Sequence, residues 1–210
     1  MKKIVLLIAI LLLVLTSCNS ENSSQMTTFE EVHHDHDVSV DVEELISKST
    51  HIFVGTAIEV VDTINLSRDF NDPTKPDPQR ESIGERILFS PSTTLKGDVI
   101  DDEILLVSLK SVELPSPELN GKMKKYDIPY YNEIMIGEEV IVFVYENPEL
   151  SKIFPNDRRQ FEPASSPYIF TLSSDKVLKL IEKDEDVKKQ FIDKEFNIEK
   201  LLKAIEKNKK

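Results

Sequence analysis

The stretch GEEVIVFVYE, residues 137–146, decides the fold class of this chain. Val140, Val142 and Val144 alternate with Ile141, Phe143 and Tyr145, and β-branched and aromatic side chains at period two make a strand. Upstream, DEILLVSLK (102–110) is a second strand, and ERILFSPSTTLKG (85–97) a third that ends near Lys96-Gly97. HIFVGTAIEVV (51–61) is a fourth, with Ile52, Val54, Ile58 and Val60 on one face and Phe53, Ala57 and Val61 on the other. That strand is apolar on nearly both sides. Downstream, SPYIFTLSSDKVLKLI (166–181) reads as a hairpin turning at Ser173-Ser174-Asp175.

Two long polar segments separate these strands. Residues 62–84 hold three prolines within six positions and are expected to form a loop, and residues 111–136 form a second. A short helix precedes the first strand, because Asp41 can cap it and Glu44 completes a capping-box-like pattern ahead of Leu45 and Ile46. The chain ends in a helical stripe of Ile198, Leu201, Leu202 and Ile205 behind an Asn197 cap, with lysines at the negative end of the helix dipole. No internal repeat is present. Short strands, polar loops and few helices predict a mainly β fold, a small barrel or sandwich over residues 40–182 with a C-terminal helical segment over 183–210.

The N-terminus carries a different message. Lys2 and Lys3 precede an unbroken apolar run from Ile4 to Leu15. A membrane-crossing helix needs about 20 such residues, so the run is too short. A basic head, a 7–15-residue apolar segment and small residues are the plan of a signal peptide. The string that follows, Leu15-Thr16-Ser17-Cys18, resembles the lipobox of bacterial lipoproteins. In that family the cysteine thiol takes a diacylglycerol group and the peptide is cut just before it. The resemblance implies removal of residues 1–17 and a mature chain that begins at lipidated Cys18. Two acyl chains hold a protein stably on a membrane where one binds only marginally. Cys18 is the only cysteine, so no intrachain disulfide is available and the exported fold must stand on its core.

Residues 18–39 are polar without apolar periodicity and are read as a tether. About 20 flexible residues reach roughly 25 Å on average. Asn19 gives no retention signal of the aspartate kind, and the Lys/Ile/Asn-rich composition points to a single-membrane envelope. The expected location is the extracellular face of a bacterial cell membrane.

Removing residues 1–17 deletes two lysines and no acid, and takes the formal charge from −12 to −14. Such a surface repels phosphate backbones and anionic headgroups, so a nucleic-acid partner is disfavoured and lipid supplies the membrane contact. Basic partners and divalent cations remain compatible with it.

Five pieces in order carry a second resemblance: ELISKSTHIFVGTAIEV, FSPSTTLKG, DEILLVSL, IGEEVIVFVY and YIFTLSSDKVLKL. They resemble secreted bacterial domains similar to the inhibitory domain of the tissue inhibitors of metalloproteinases, which implies an OB-like β-barrel over roughly residues 42–181. In the animal inhibitors a free N-terminal cysteine beside the barrel chelates zinc. Here Cys18 is expected to be lipidated and set off by the tether, so that mechanism does not carry over.

Other stretches bear chemistry. HHDHD (His33, His34, Asp35, His36, Asp37) gathers three of the four histidines and is a ligand set suited to Zn²⁺, Ni²⁺ or Cu²⁺. The plainer reading is a polar linker that binds metal incidentally, with no cofactor; the alternative is a metal-handling lipoprotein that binds Zn²⁺ or Ni²⁺. Histidines among acids also titrate near neutrality, though an exposed tether has nothing to switch. DFNDPTKPD (69–77) fails the calcium-loop pattern because Pro73 occupies a ligand position and the required Gly is absent. Asp98, Asp101, Asp102 and Glu103 form an acidic turn that either attracts Ca²⁺ or simply stays solvated. Tyr126, Tyr130 and Tyr131 with Pro129 either contact a partner or fold back over the barrel end. The sequence lacks G-x-S-x-G, H-E-x-x-H and a phosphate-cradling glycine loop.

The expectation is a lipid-anchored cell-surface binding module whose loops 62–84 and 111–136 face an envelope protein or a cell-wall partner. An uncharacterised hydrolase is the remaining alternative, and it would need a cleft lined by two carboxylates.

Overall fold

In the computed structural model of the chain the described residues are 38–100, 102–128, 136–154, 157–182, 184–193 and 195–208. Cys18, the tether up to residue 37 with His33, His34, Asp35, His36 and Asp37, and Tyr130 and Tyr131 lie outside them.

Asp41 caps α1 (Val42–Lys48) as the sequence predicts. Its carboxylate accepts from the Glu44 N–H at 2.8 Å, and Glu44 reaches back to the Val40 N–H at 2.8 Å. Val42, Leu45 and Ile46 are buried. Next come β1 (His51–Asn65), β2 (Ser82–Lys96), β3 (Ile104–Ser116), β4 (Lys122–Asp127) and β5 (Glu139–Glu146). They are followed by α2 (Pro148–Ile153), β6 (Gln160–Pro163), β7 (Ile169–Leu172), β8 (Val177–Ile181), α3 (Glu185–Gln190), β9 (Glu195–Asn197) and α4 (Ile198–Asn208). The molecule is mainly β.

The strand pairings close a ring. β1 holds β2 on one edge and β5 on the other, β2 holds β3, and β3 meets β6 in parallel. β6 then pairs antiparallel with β5, which completes the circuit. The second edge of β5 is divided: Val140–Val142 pair with β7, and Val144–Glu146 with β6. From β7 the sheet runs on through β8 to β9, and β4 extends it beyond β3. The strand that decides the fold class is thus the hub, which is why it is apolar on both faces: Val140 to Val144 are all buried.

Two aromatic clusters fill the interior. Phe170 meets Phe143 at 5.5 Å, Phe196 at 5.3 Å and Phe191 at 5.9 Å between ring centroids. Phe161 meets Phe53 edge-on at 5.3 Å and His51 at 5.0 Å. Leu201, Ala204 and Ile205 of α4 belong to the same core.

The structure redraws several boundaries. The loop expected over 62–84 spans only 66–81, because its prolines, at 73, 76 and 78, all fall inside that interval while the residues on either side stay in the β1–β2 ladder. The loop expected over 111–136 holds the rest of β3 and the whole of β4. A turn through Asn120 and Gly121, both with positive φ (53° and 81°), lets the chain double back. The segment 183–210, expected to be helical, contains α3 and α4 and also β9, which pairs with β8. The hairpin turn at Ser173-Ser174-Asp175 and the Asn197 cap, whose side chain accepts from the Glu199 N–H at 2.7 Å, are found as predicted.

Candidate binding cleft

The β3–β6 seam is short. Only Leu105 with Gln160 and Leu106 with Phe161 are paired across it. Past that point Pro163 has no N–H to offer a neighbour, and the pairing of the two strands stops. A cleft of about 320 Å³ opens between Val107, Ser108 and Leu109 of β3 and Glu162 and Pro163 of β6. Tyr145 and Tyr168 line it, as do Leu66, Ser67 and Ser82 from the root of the 66–81 loop. This volume lies at the small end of the range for ligand pockets.

Pairs of polar groups line the cleft. Tyr145 and Glu162 stand directly opposite each other on β5 and β6, and the Tyr145 hydroxyl donates to Glu162 Oε2. The Asn147 amide donates to the same oxygen at 3.0 Å. Burial, reinforced by the carboxylate, pushes the Tyr145 phenol well above its ordinary value, so it stays protonated as a donor. The Tyr168 hydroxyl donates to Ser108 Oγ at 3.3 Å, and burial raises that phenol too. Ser67 and Ser82 share a hydroxyl–hydroxyl bond of 2.8 Å. Leu66, Val107, Leu109 and Pro163 supply apolar wall.

The loop above the cleft is braced from within. Asn65 Oδ1 accepts from the Ser67 and Ser82 N–H groups at 3.0 and 2.9 Å, which fixes the loop's root. Asp69 Oδ1 accepts from the Asn71 and Asp72 N–H groups, and Asp72 Oδ1 accepts from the Thr74 hydroxyl at 2.5 Å. The acids of DFNDPTKPD therefore serve the loop's own turns. At its far end Phe70 is 98% exposed. Arg68 stands over the Phe154 ring at 5.2 Å, and its Nε and Nη2 have no hydrogen-bond partner among the described residues.

A second polar assembly joins Thr50, His51, Asp98, Arg159 and Glu146. Thr50 Oγ1 lies 2.9 Å from His51 Nδ1, and His51 Nε2 lies 2.5 Å from Asp98 Oδ1. This row of hydroxyl, imidazole and carboxylate has the composition of a nucleophile triad. Its connections point to bracing instead. Thr50 Oγ1 also accepts from the Glu146 N–H at 3.1 Å, and Arg159 spans Asp98 and Glu146 with four N–H bonds. None of these five residues is among the described lining of the cleft.

The candidates from the sequence are scattered. Tyr126 lies on β4, half-exposed, with the Lys124 ammonium 5.3 Å from its ring, and not in the cleft. Asp98 is engaged by His51 and Arg159, and Glu103 by Arg158 at 2.9 Å. Among the described residues no group of three or more His, Cys, Asp or Glu side chains is placed to hold a metal ion. The cleft residues escaped the sequence reading because β2, β3, β5, β6 and the β1–β2 and β6–β7 connections each contribute only one to three of them. One signal was readable. Tyr145 closes a run of apolar residues with a hydroxyl, and Pro163 ends the next strand.

No protein-family model matches the chain, and no curated protein matches it.

Proposed function

We propose that this chain is a lipid-anchored binding module on the outer face of a bacterial cell membrane. Its ring would be an OB-type barrel, and its ligand-binding site the cleft beside the 66–81 loop. The five-strand ring with one short, partly open seam supports the barrel reading. The lipobox string Leu15-Thr16-Ser17-Cys18 supports the anchor. The observation that carries the binding reading is the cleft itself, where pre-oriented hydroxyls and a carboxylate converge between apolar walls at a stretch where β3 and β6 no longer pair with each other. Phe70, held outward on a braced loop, extends that contact surface toward a partner of the cell envelope.

Two measurements test this reading separately. Labelled palmitate enters the wild-type chain and not Cys18→Ala, and that variant leaves the membrane fraction; full sedimentation of Cys18→Ala with envelopes overturns the anchor. A photo-crosslinking residue at Leu109 or Phe70 captures one recurrent envelope component in intact cells, whereas the same probe at Glu199 does not. Equal capture from all three positions overturns the binding site.

A further inference from the structure

We infer that the cleft between β3 and β6 recognises a primary ammonium group. This inference rests on the binding-module reading and adds the chemistry of the ligand.

Hydrogen-bond acceptors outnumber free donors in the cleft. Tyr145 has spent its hydroxyl hydrogen on Glu162, and its oxygen is left to accept. Ser67 and Ser82 spend one hydrogen on each other and keep one, and Ser108, which accepts from Tyr168, keeps its own. Both bonds to Glu162 from Tyr145 and Asn147 fall on Oε2, and no group among the described residues bonds Oε1. The carboxylate is therefore held in place through one oxygen and offers the other. Among the described lining residues Glu162 is the only ionisable carboxyl group, and none is a lysine or arginine. The surface presented is rich in acceptors and carries a single negative charge.

Ligand classes can be ranked against that surface. Carboxylates and phosphates meet a charge of their own sign, within a chain of formal charge −12. Neutral polyols need donors as often as acceptors, and few donors remain. A guanidinium gains most from a two-oxygen fork, and one prong here is occupied. A primary ammonium brings three donors, no acceptor and a compact charge, which matches one free carboxylate oxygen flanked by hydroxyl oxygens. Leu66, Val107, Leu109 and Pro163 can cover an aliphatic stem. The chemistry is that of a lysine side chain or of an amine borne by a sugar.

The test uses the full-length chain in non-ionic detergent and three probes: Nα-acetyl-lysine amide, its Nε-acetylated form, and glucosamine. Titration calorimetry should detect Nα-acetyl-lysine amide or glucosamine, with the stronger of the two identifying the source of the amine. Nε-acetylation should weaken binding at least about tenfold, since it removes the charge and two donors. Glu162→Gln should weaken it by a similar factor while the thermal midpoint stays near wild type. Should Glu162→Gln fail to fold, Leu109→Lys serves instead, because it places a competing ammonium at a partly exposed wall position and should abolish binding. Equal affinity for the acetylated and unmodified lysine probes, no binding of either amine, or undiminished binding by a folded Glu162→Gln overturns the inference. Failure here with specific crosslinks at Leu109 intact would remove the ligand class alone; loss of both would remove the site.

Discussion

A β-carbon added at Gly97 would stand 2.2 Å from Cδ2 of His51 and 2.7 Å from its Nε2. Gly97 also has φ +93°, a conformation that side-chain-bearing residues rarely adopt. The residue that follows β2 therefore makes room for the imidazole that joins β1 to the β2–β3 connection through Asp98.

Gly97→Ala combines backbone strain with a displaced His51. Each effect costs on the order of 1–2 kcal/mol, so a loss of about 2–3 kcal/mol in urea unfolding is expected. Gly121 has a positive φ but no atom within 4 Å of its would-be β-carbon, so Gly121→Ala should cost only the strain, about 1 kcal/mol. Equal costs at the two positions would contradict the steric role given to His51.

The polar assembly around Arg159 sets the response to acid. The Arg159 guanidinium, and after it His51, hold the Asp98 carboxyl well below the usual carboxylate range, and Arg159 lowers Glu146 as well. Both carboxyls release protons more readily in the folded chain than in the unfolded one. Their stabilisation is therefore fully present above the unfolded value of about 4 and is lost as pH falls through the lowered folded values. The thermal midpoint should decline below about pH 4.5, and Asp98→Asn with Glu146→Gln should flatten that decline while lowering the midpoint at pH 7. An unchanged acid limb in the double variant would refute the assignment.

Arg86 is buried on β2, bonded to Asp62 at 2.7 Å through Nε and to Asp157, and lies 4.7 Å from the Phe154 ring centroid. Breaking a fully buried ion pair costs about 3–5 kcal/mol. Asp62 and Asp157, at 41% and 37% exposure, can turn to water when the arginine is gone, so Arg86→Met should cost about 2 kcal/mol. The loss should be insensitive to 0.5 M salt, unlike that of a surface pair. Chemical denaturation at two ionic strengths checks both statements.

Phe196 on β9 packs its ring on Phe170, and Phe191 meets the same Phe170 ring. Phe196→Ala should cost about 3–4 kcal/mol by cavity formation. Ending the chain at residue 182 removes Phe191, Phe196, Leu201 and Ile205 from one core, and should leave a chain without a cooperative thermal transition. A truncated chain that melts like wild type would mean that the last 28 residues are an appendage.

Where side-chain pattern and environment coincide, the fold was readable. Val140 to Val144 and Ile52 to Val54 announce strands because one residue in two, or nearly every residue, meets core. The same pattern misleads at Ile58, Val60 and Val61, which continue the apolar run but are 42–47% exposed, because β1 has left β5 behind after Thr56. β4 was hidden by its composition: KMKKYD is an edge strand whose lysines face solvent, and lysine gives no β signal. The Asn120-Gly121 turn was visible in the letters and belonged to a hairpin that neither flank advertised. The cleft left only the Tyr145 and Pro163 signal in the sequence, and its place could not be read. It exists because the register ends one pair after Leu105, and register across a parallel seam leaves no local mark.

Ring closure carries a consequence for the order of events in synthesis. His51 must find Val144, and Leu105 must find Gln160, so the first strand cannot be completed until the chain past residue 144 is available. Contacts of such long sequence separation make for slow folding. A nascent chain of this design stays open while most of it is being made, and for a protein proposed to work on the outer face of a membrane, that delay keeps it narrow enough to travel.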